Sequence, residues 1–499
     1  MSPLKPTPPL ADETMALLWS RVRQRGDMPG FSKVIHTIIS AMQGDEEREF
    51  NMTRTVLSDP ALTQKVLRLA NSAMYSVFGQ GINTVSKAVI VLGTETIGHL
   101  ALGLKLIDGL TNASTDSSVA RQEMEKAVLA GHIARQVASS AGTRDSEEAV
   151  VCSMLHGLGR MMVTFYLTEC WEAVQEKCRQ GMGENEAAVE VLGLGLDEVG
   201  RLAGRQWGLP GSLTDTFRHV VPRDAGEPLD HAEWLATVST LSSRCADALY
   251  SEAGPQSPAL VQLAQDYADM LGLEFAQVLT AVSIGQDSAV EENAIAPRPA
   301  RATEPPVSLP PALGKPADAA QRLQRGLADM RDALGNASLP QVMTMALETV
   351  HQGLGFSRAI AFIRDQEEGL YRVCMSFGEG VQEKLPQLRF GDAYQPDVFH
   401  AALANDKMIF VENARDPVFV KKLPRWWREA LPSVRSFTLL PLMVNRQPVG
   451  FIYGDWDLLL PPARIESADV APLNELRVLA VQAIERQRQV NPQWVRMLL

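Results

Sequence analysis

Between Asp287 and Asp318 the chain carries Pro297, Pro299, Pro305, Pro306, Pro310, Pro311 and Pro316 among Ala, Glu and Arg, with few large apolar side chains. Proline fixes φ and removes a backbone donor, so such a stretch continues neither a helix nor a central strand. With so little to bury, it reads as an extended, mobile linker and the strongest domain boundary in the sequence. A chain of 499 residues is also too long for one core. The expected division is a disordered Pro-rich N-terminus at 1–11, an all-helical domain at 12–286 and the linker at 287–318. A connecting helix at 319–338 and an α+β domain at 339–490 follow.

The two sides of the linker differ in period. From Glu13 to Ile284, apolar residues recur at three- and four-residue steps, which predicts helices nearly throughout. Ser58-Asp59-Pro60 is a helix start, with proline in the first turn and an acid beside the positive end of the dipole. The helix following it puts Leu62, Val66, Leu69 and Ala73 on one core-facing side, while Asn71 and Ser72 are expected to hydrogen-bond inside the bundle. Gly79-Gln80-Gly81 breaks the pattern. Asn83 or Thr84 then caps a helix over Val85 to Leu92 that Gly93 ends.

After the linker, Leu323, Leu327, Met330 and Leu334 line one seam of a helix over Ala319 to Leu334. The seam packs on its own domain or a second copy, or the helix simply lies on the surface. From Phe356 the period becomes that of strands: Arg358–Arg364, Leu370–Met375, Met408–Val411, Ser436–Met443 and Pro448–Tyr453, with a hairpin turn at Asn445-Arg446-Gln447. A helix from about Leu473 to Gln487 closes an α+β domain with a largely antiparallel sheet.

Charge and cysteines narrow the function. A net charge of −12 argues against a general nucleic-acid binder, which needs a basic surface to neutralise phosphates. Cys152, Cys170, Cys178, Cys245 and Cys374 are odd in number and lack CxxC spacing, so neither a disulfide framework nor a structural zinc is expected and a cytoplasmic location is. The Pro-rich N-terminus lacks the apolar core of a signal peptide. No segment reads as long and apolar enough to cross a bilayer, which takes roughly 20 residues.

The candidate chemistry lies at Leu155-His156-Gly157-Leu158-Gly159-Arg160. Histidine followed by aspartate can hold metal through adjacent imidazole and carboxylate ligands, but here glycine stands second. This stretch, with Asp59-Pro60-Ala61-Leu62 running to Leu67-Arg68-Leu69-Ala70-Asn71-Ser72-Ala73, and Ile82 to Gly93, resembles the HDOD family. That family comprises non-enzymatic relatives of the HD-type metal phosphohydrolases, and the likeness spans roughly Asp12 to Val221. It implies an all-helical bundle. It also implies that His132 and His156 match metal-ligand histidines, that Gly157 replaces the paired Asp, that Leu196 stands where relatives often carry His, and that His219 matches a further family His. Two-metal catalysis needs anionic ligands to hold cations and activate water. Asp197 is one residue out of phase, about 100° round a helix, whereas Asp215 is one turn before His219 and can reach the same cleft. Three readings stand: half-buried, satisfied histidines, a single retained metal, or a phosphohydrolase.

Gly355 to Arg364, with Pro441-Leu442-Met443-Val444 and Pro448 to Asp455, resembles a GAF domain over roughly Leu339 to Gln487. GAF domains sense ligands or dimerise. The constellation that reads cyclic nucleotides is not recognisable: Asn413 and Phe419 stand at loose spacing, and Cys374 reads as core and not as a bilin attachment site. Arg425, Trp426 and Trp427 within Lys421–Arg428 either stack on a nucleotide or anionic partner or form a lid helix whose tryptophans cover the sheet. The combined expectation is a non-enzymatic, bacterial-type signalling protein with no cofactor. Its first domain engages a partner protein, and its second senses a small molecule or nucleotide or forms a homodimer. The alternative is a metal-dependent phosphohydrolase acting on a cyclic dinucleotide or nucleotide.

Overall fold

The computed structural model describes residues 9–26, 33–43, 48–71, 81–111, 117–143, 145–223, 229–251, 257–291, 314–378 and 380–490. Two compact units emerge, one of residues 1–48 and 94–303 and the other of 49–93 and 304–499. The division departs from the single helical domain expected at 12–286, because residues 49–93 pack with the C-terminal part. Hydrogen bonds from Asn83, Thr84, Val85 and Ser86 onto Asp329 and Glu348, and the stacking of Phe50 on Phe377 with centroids 5.4 Å apart, tie them there.

The first unit is helical. Ser118–Ser140, Ser146–His156 and His231–Ser251 pack on one another, and Phe275–Glu291 packs on the first of these. Val128, Ile133, Val137, Val150, Val151, Met154, Leu241 and Val282 fill the space between them. A continuous apolar core of this kind supplies most helix stability. Gly159 opens the helix Leu158–Tyr166 and lies against Gly200 of Leu196–Gln206. A Cβ on Gly159 would overlap the Leu196 carbonyl oxygen and sit 2.8 Å from the Gly200 nitrogen, so only glycine admits this approach.

Three sequence expectations change here. The helix Pro9–Arg25 covers the end of the expected disordered segment, while residues 1–8 lie outside the described residues. Phe275–Glu291 runs into the expected linker, and at its far end Lys315 Nζ holds Asp469 at 2.6 Å, so both ends of 287–318 are structured. Residues 292–313, like Ser72 and Ala73, lie outside the described residues. Contrary to expectation, Ser146–Tyr166 reaches membrane-span length at a mean hydropathy of 1.2. Its apolar surface is used internally, since 78% of it is buried within the fold.

In the second unit the described residues form a six-stranded antiparallel sheet: β1 (Arg358–Asp365), β2 (Leu370–Gly378), β3 (Arg389–Gly391), β4 (Ile409–Val411), β5 (Val434–Val444) and β6 (Gln447–Asp457). Their spatial order is β3-β2-β1-β6-β5-β4. Asn445 and Arg446 turn the β5–β6 hairpin at φ 51° and 61°, the left-handed pair that matches strand twist in a two-residue loop. Alternation along the strands sends Ile360, Phe362, Tyr371, Phe437, Leu439, Phe451 and Tyr453 into one aromatic-rich core. Helices Ala319–Ala333, Leu339–Leu354 and Ser467–Val490 pack together, the last two also against the sheet. Leu323, Leu327 and Met330 are fully buried, so that seam faces its own unit. Strand β3 was not expected; three residues are too few to show a period.

Candidate functional site

Helix Ser146–His156 ends at Gly157, which links it to Leu158–Tyr166. That break brings His156 and Gly157 to a cavity of about 440 Å³ in the first unit, where Leu196, Asp197 and His219 also lie. The structure therefore gathers four of the five expected positions. His132, 2% exposed on Ser118–Ser140, is not on the cavity wall. Asp197, expected out of phase, does line the cavity and pairs with Arg201 at 3.3 Å. Asp215 does not: it faces solvent beside Arg205 at 3.7 Å.

Burial sets the chemistry of the histidines. Desolvation disfavours the imidazolium and presses His156 and His132 down to about 4, helped by the positive charge of His219 and Arg135 respectively. His219, at the rim, is lowered by burial and by Arg244. The buried Nδ1 of His156 finds no hydrogen-bond partner among the described residues. His156 is thus half-buried as expected but incompletely satisfied. No group of three or more His, Cys, Asp or Glu suited to a metal occurs among the described residues. A Cβ at Gly157 would meet nothing within 4 Å, so the missing carboxylate is a change of chemistry and not of space.

Sequence reading missed the charges opposite. Arg160 reaches Glu184 at 2.5 Å, Asp247 at 3.3 Å and Glu123 at 3.5 Å. Lys126 holds the same Glu123 and Asp247 at 2.9 Å each. Two cations and three carboxylates thus satisfy one another along the wall, and three carboxylates around Arg160 raise its pKa further despite burial. The signal was an arginine four residues beyond a wall histidine; its partners at 123, 184 and 247 are adjacent only in space.

The expected ligand candidates of the second unit lie on helix Arg425–Ala430. Trp427 is 3% exposed and its Nε1 donates to the Tyr453 hydroxyl at 3.2 Å. Trp426 stacks on Phe390 with centroids 4.9 Å apart and planes 3° apart. Both rings lie on the aromatic core, whereas Arg425 is exposed and pairs with Glu429 at 2.6 Å. Cys374, half-buried in β2, lies 3.4 Å from the Ala361 carbonyl.

The described chain thus joins a helical unit, with a cavity lined by His156 and His219, to a unit built on a six-stranded antiparallel sheet. Residues 28–221 match the HDOD domain family, and the chain carries an HDOD domain there. No curated protein matches the chain. Among solved structures, a protein described as a "Putative phosphohydrolase" from Shewanella amazonensis SB2B is 19% identical, covering 56% of this chain and 98% of its own, at a TM-score of 0.39. An HDOD domain protein with unknown function from Geobacter sulfurreducens is 17% identical, covering 57% and 96%, at 0.38. The GAF domain of an Acinetobacter phosphoenolpyruvate-protein phosphotransferase is 16% identical, covering 35% and 98%, at 0.28.

Proposed function

We propose that this chain is a non-enzymatic, cytoplasmic regulatory protein whose HDOD domain engages a partner protein and whose GAF-like domain senses a small molecule or dimerises. The observation that carries this reading is the composition of the 440 Å³ cavity. Gly157 and Leu196 bring no ligating atom, the neighbouring histidines are neutral near pH 7, and Arg160 and Lys126 are occupied by carboxylates. A hydrolase needs anionic ligands for its cations and an uncommitted charge for the phosphoryl group. Recognition of a protein needs neither. The test is affinity capture of the full chain with mass spectrometry, alongside metal analysis of the purified protein. A specific co-purifying protein with no stoichiometric metal is the expected result. Stoichiometric Mn, Fe or Mg, with nucleotide hydrolysis lost in His156→Ala, would replace this reading by the phosphohydrolase.

A further inference from the structure

Two carboxylates in the second unit grip the start of a helix that belongs to the HDOD match. Asp329, fully buried on Ala319–Ala333, accepts from the backbone N–H of Asn83 at 2.9 Å, from the Asn83 side-chain amide at 2.9 Å and from the Thr84 hydroxyl at 2.8 Å. Glu348, 3% exposed on Leu339–Leu354, accepts from the N–H groups of Val85 and Ser86 at 2.7 and 2.9 Å and from the Ser86 hydroxyl. Lys87 adds contacts to Asp329 at 3.3 Å and Asp332 at 3.0 Å. The first four N–H groups of a helix have no internal partner and carry partial positive charge, so this is strong recognition of a helix end. It is also all-or-none, because losing a donor leaves a buried charge short of partners.

We propose that Asn83–Lys87, held by Asp329 and Glu348, is a latch through which the C-terminal domain controls the HDOD domain. The gripped helix Val85–Leu92 runs through Gly93 directly into Thr94–Thr111 of the first unit, so the latch lies on a continuous path of chain. This deepens the proposed signalling role and rests on it. Release of the helix N-terminus is the conformational event, and the two carboxylates set its free energy.

Amide hydrogen exchange on the full-length protein tests it, comparing wild type with Glu348→Gln and Ser86→Ala. Both variants should raise exchange at Val85 and Ser86 at least tenfold. Phe362 and Phe451 in the sheet should stay unchanged, and Ile97 to Leu104 should quicken. No rise at Val85 and Ser86, an equal rise across the sheet, or a rise confined to 83–89 overturns the latch. The outcome is separable from the function itself, which fails if capture yields no partner or if metal analysis and hydrolysis favour the phosphohydrolase.

Discussion

At the scale of single residues, Gly157 and Gly159 stand two apart and do opposite things. Space surrounds Gly157, so Gly157→Asp should fold with a melting temperature close to wild type. It should bind no stoichiometric metal on dialysis against Mn, as judged by elemental analysis, because Leu196 still brings no donor. Robust metal-dependent hydrolysis by that variant would show Leu196 to be irrelevant. Gly159 has no such room, and Gly159→Ala must push Leu196–Gln206 away. A loss of about 1–3 kcal/mol in denaturant unfolding is expected, as for other overpacked cores. The sequence motif displayed both glycines, but not which one touches another backbone.

Elements with local causes were legible; those built from distant partners were not. Asp59 Oδ1 accepts from Leu62 N–H at 3.0 Å, and Thr84 accepts from Lys87 N–H at 3.3 Å, so both expected helix starts are capped by the residues that announced them. Asn71 brackets Ile82 through its backbone N–H and C=O at 3.0 and 2.7 Å. The β5–β6 hairpin was visible in the same way, through residues that tolerate its turn. The Arg160 network and the grip on Val85–Leu92 were hidden, since no pattern links Ser86 to a glutamate 262 residues later. Helix Arg425–Ala430 belongs to the same scale. Its Trp427 is buried against Phe437 at 4.9 Å and bonded to Tyr453. Trp427→Ala should therefore cost about 3–5 kcal/mol of the second unit's stability by chemical denaturation, whereas Arg425→Ala should leave it unchanged.

Across the whole molecule the buried ionisable groups pull in opposite directions with pH. His99, His132 and His156 in the first unit, and His351 in the second, are pressed by burial to about 4 from the usual 6.5. Their contribution is complete above pH 6.5 and is lost as the pH falls towards 4, by roughly 1–3 kcal/mol each. Glu348 behaves inversely: burial raises it to about 7 from 4.5 despite the bonds from Ser86 and Val85. Its contribution is complete below 4.5 and is lost as the pH rises through 7. Charged or titratable neighbours on the facing elements are Asp329, Asp332 and Lys87, with His351 one turn along its own helix. Between pH 7 and 5, calorimetry should show the first unit's transition falling further than the second's, and Glu348→Gln should remove that difference. Equal shifts for both transitions would contradict this balance.

The excursion of residues 49–93 also sets a schedule for synthesis. Ser86 leaves the ribosome 262 residues ahead of Glu348, which at about 5–20 residues per second is a wait of roughly 13–50 s. Throughout it, the N–H groups of Val85 and Ser86 lack the carboxylate they meet in the finished protein, and Phe50 lacks the Phe377 ring it stacks on at 5.4 Å. The N-terminal portion of the family domain is therefore born before the part of the chain that shelters it. Truncation anywhere before 348 removes both Glu348 and Phe377, leaving that helix start ungripped and Phe50 without its stacking partner, a natural target for chaperones and proteases.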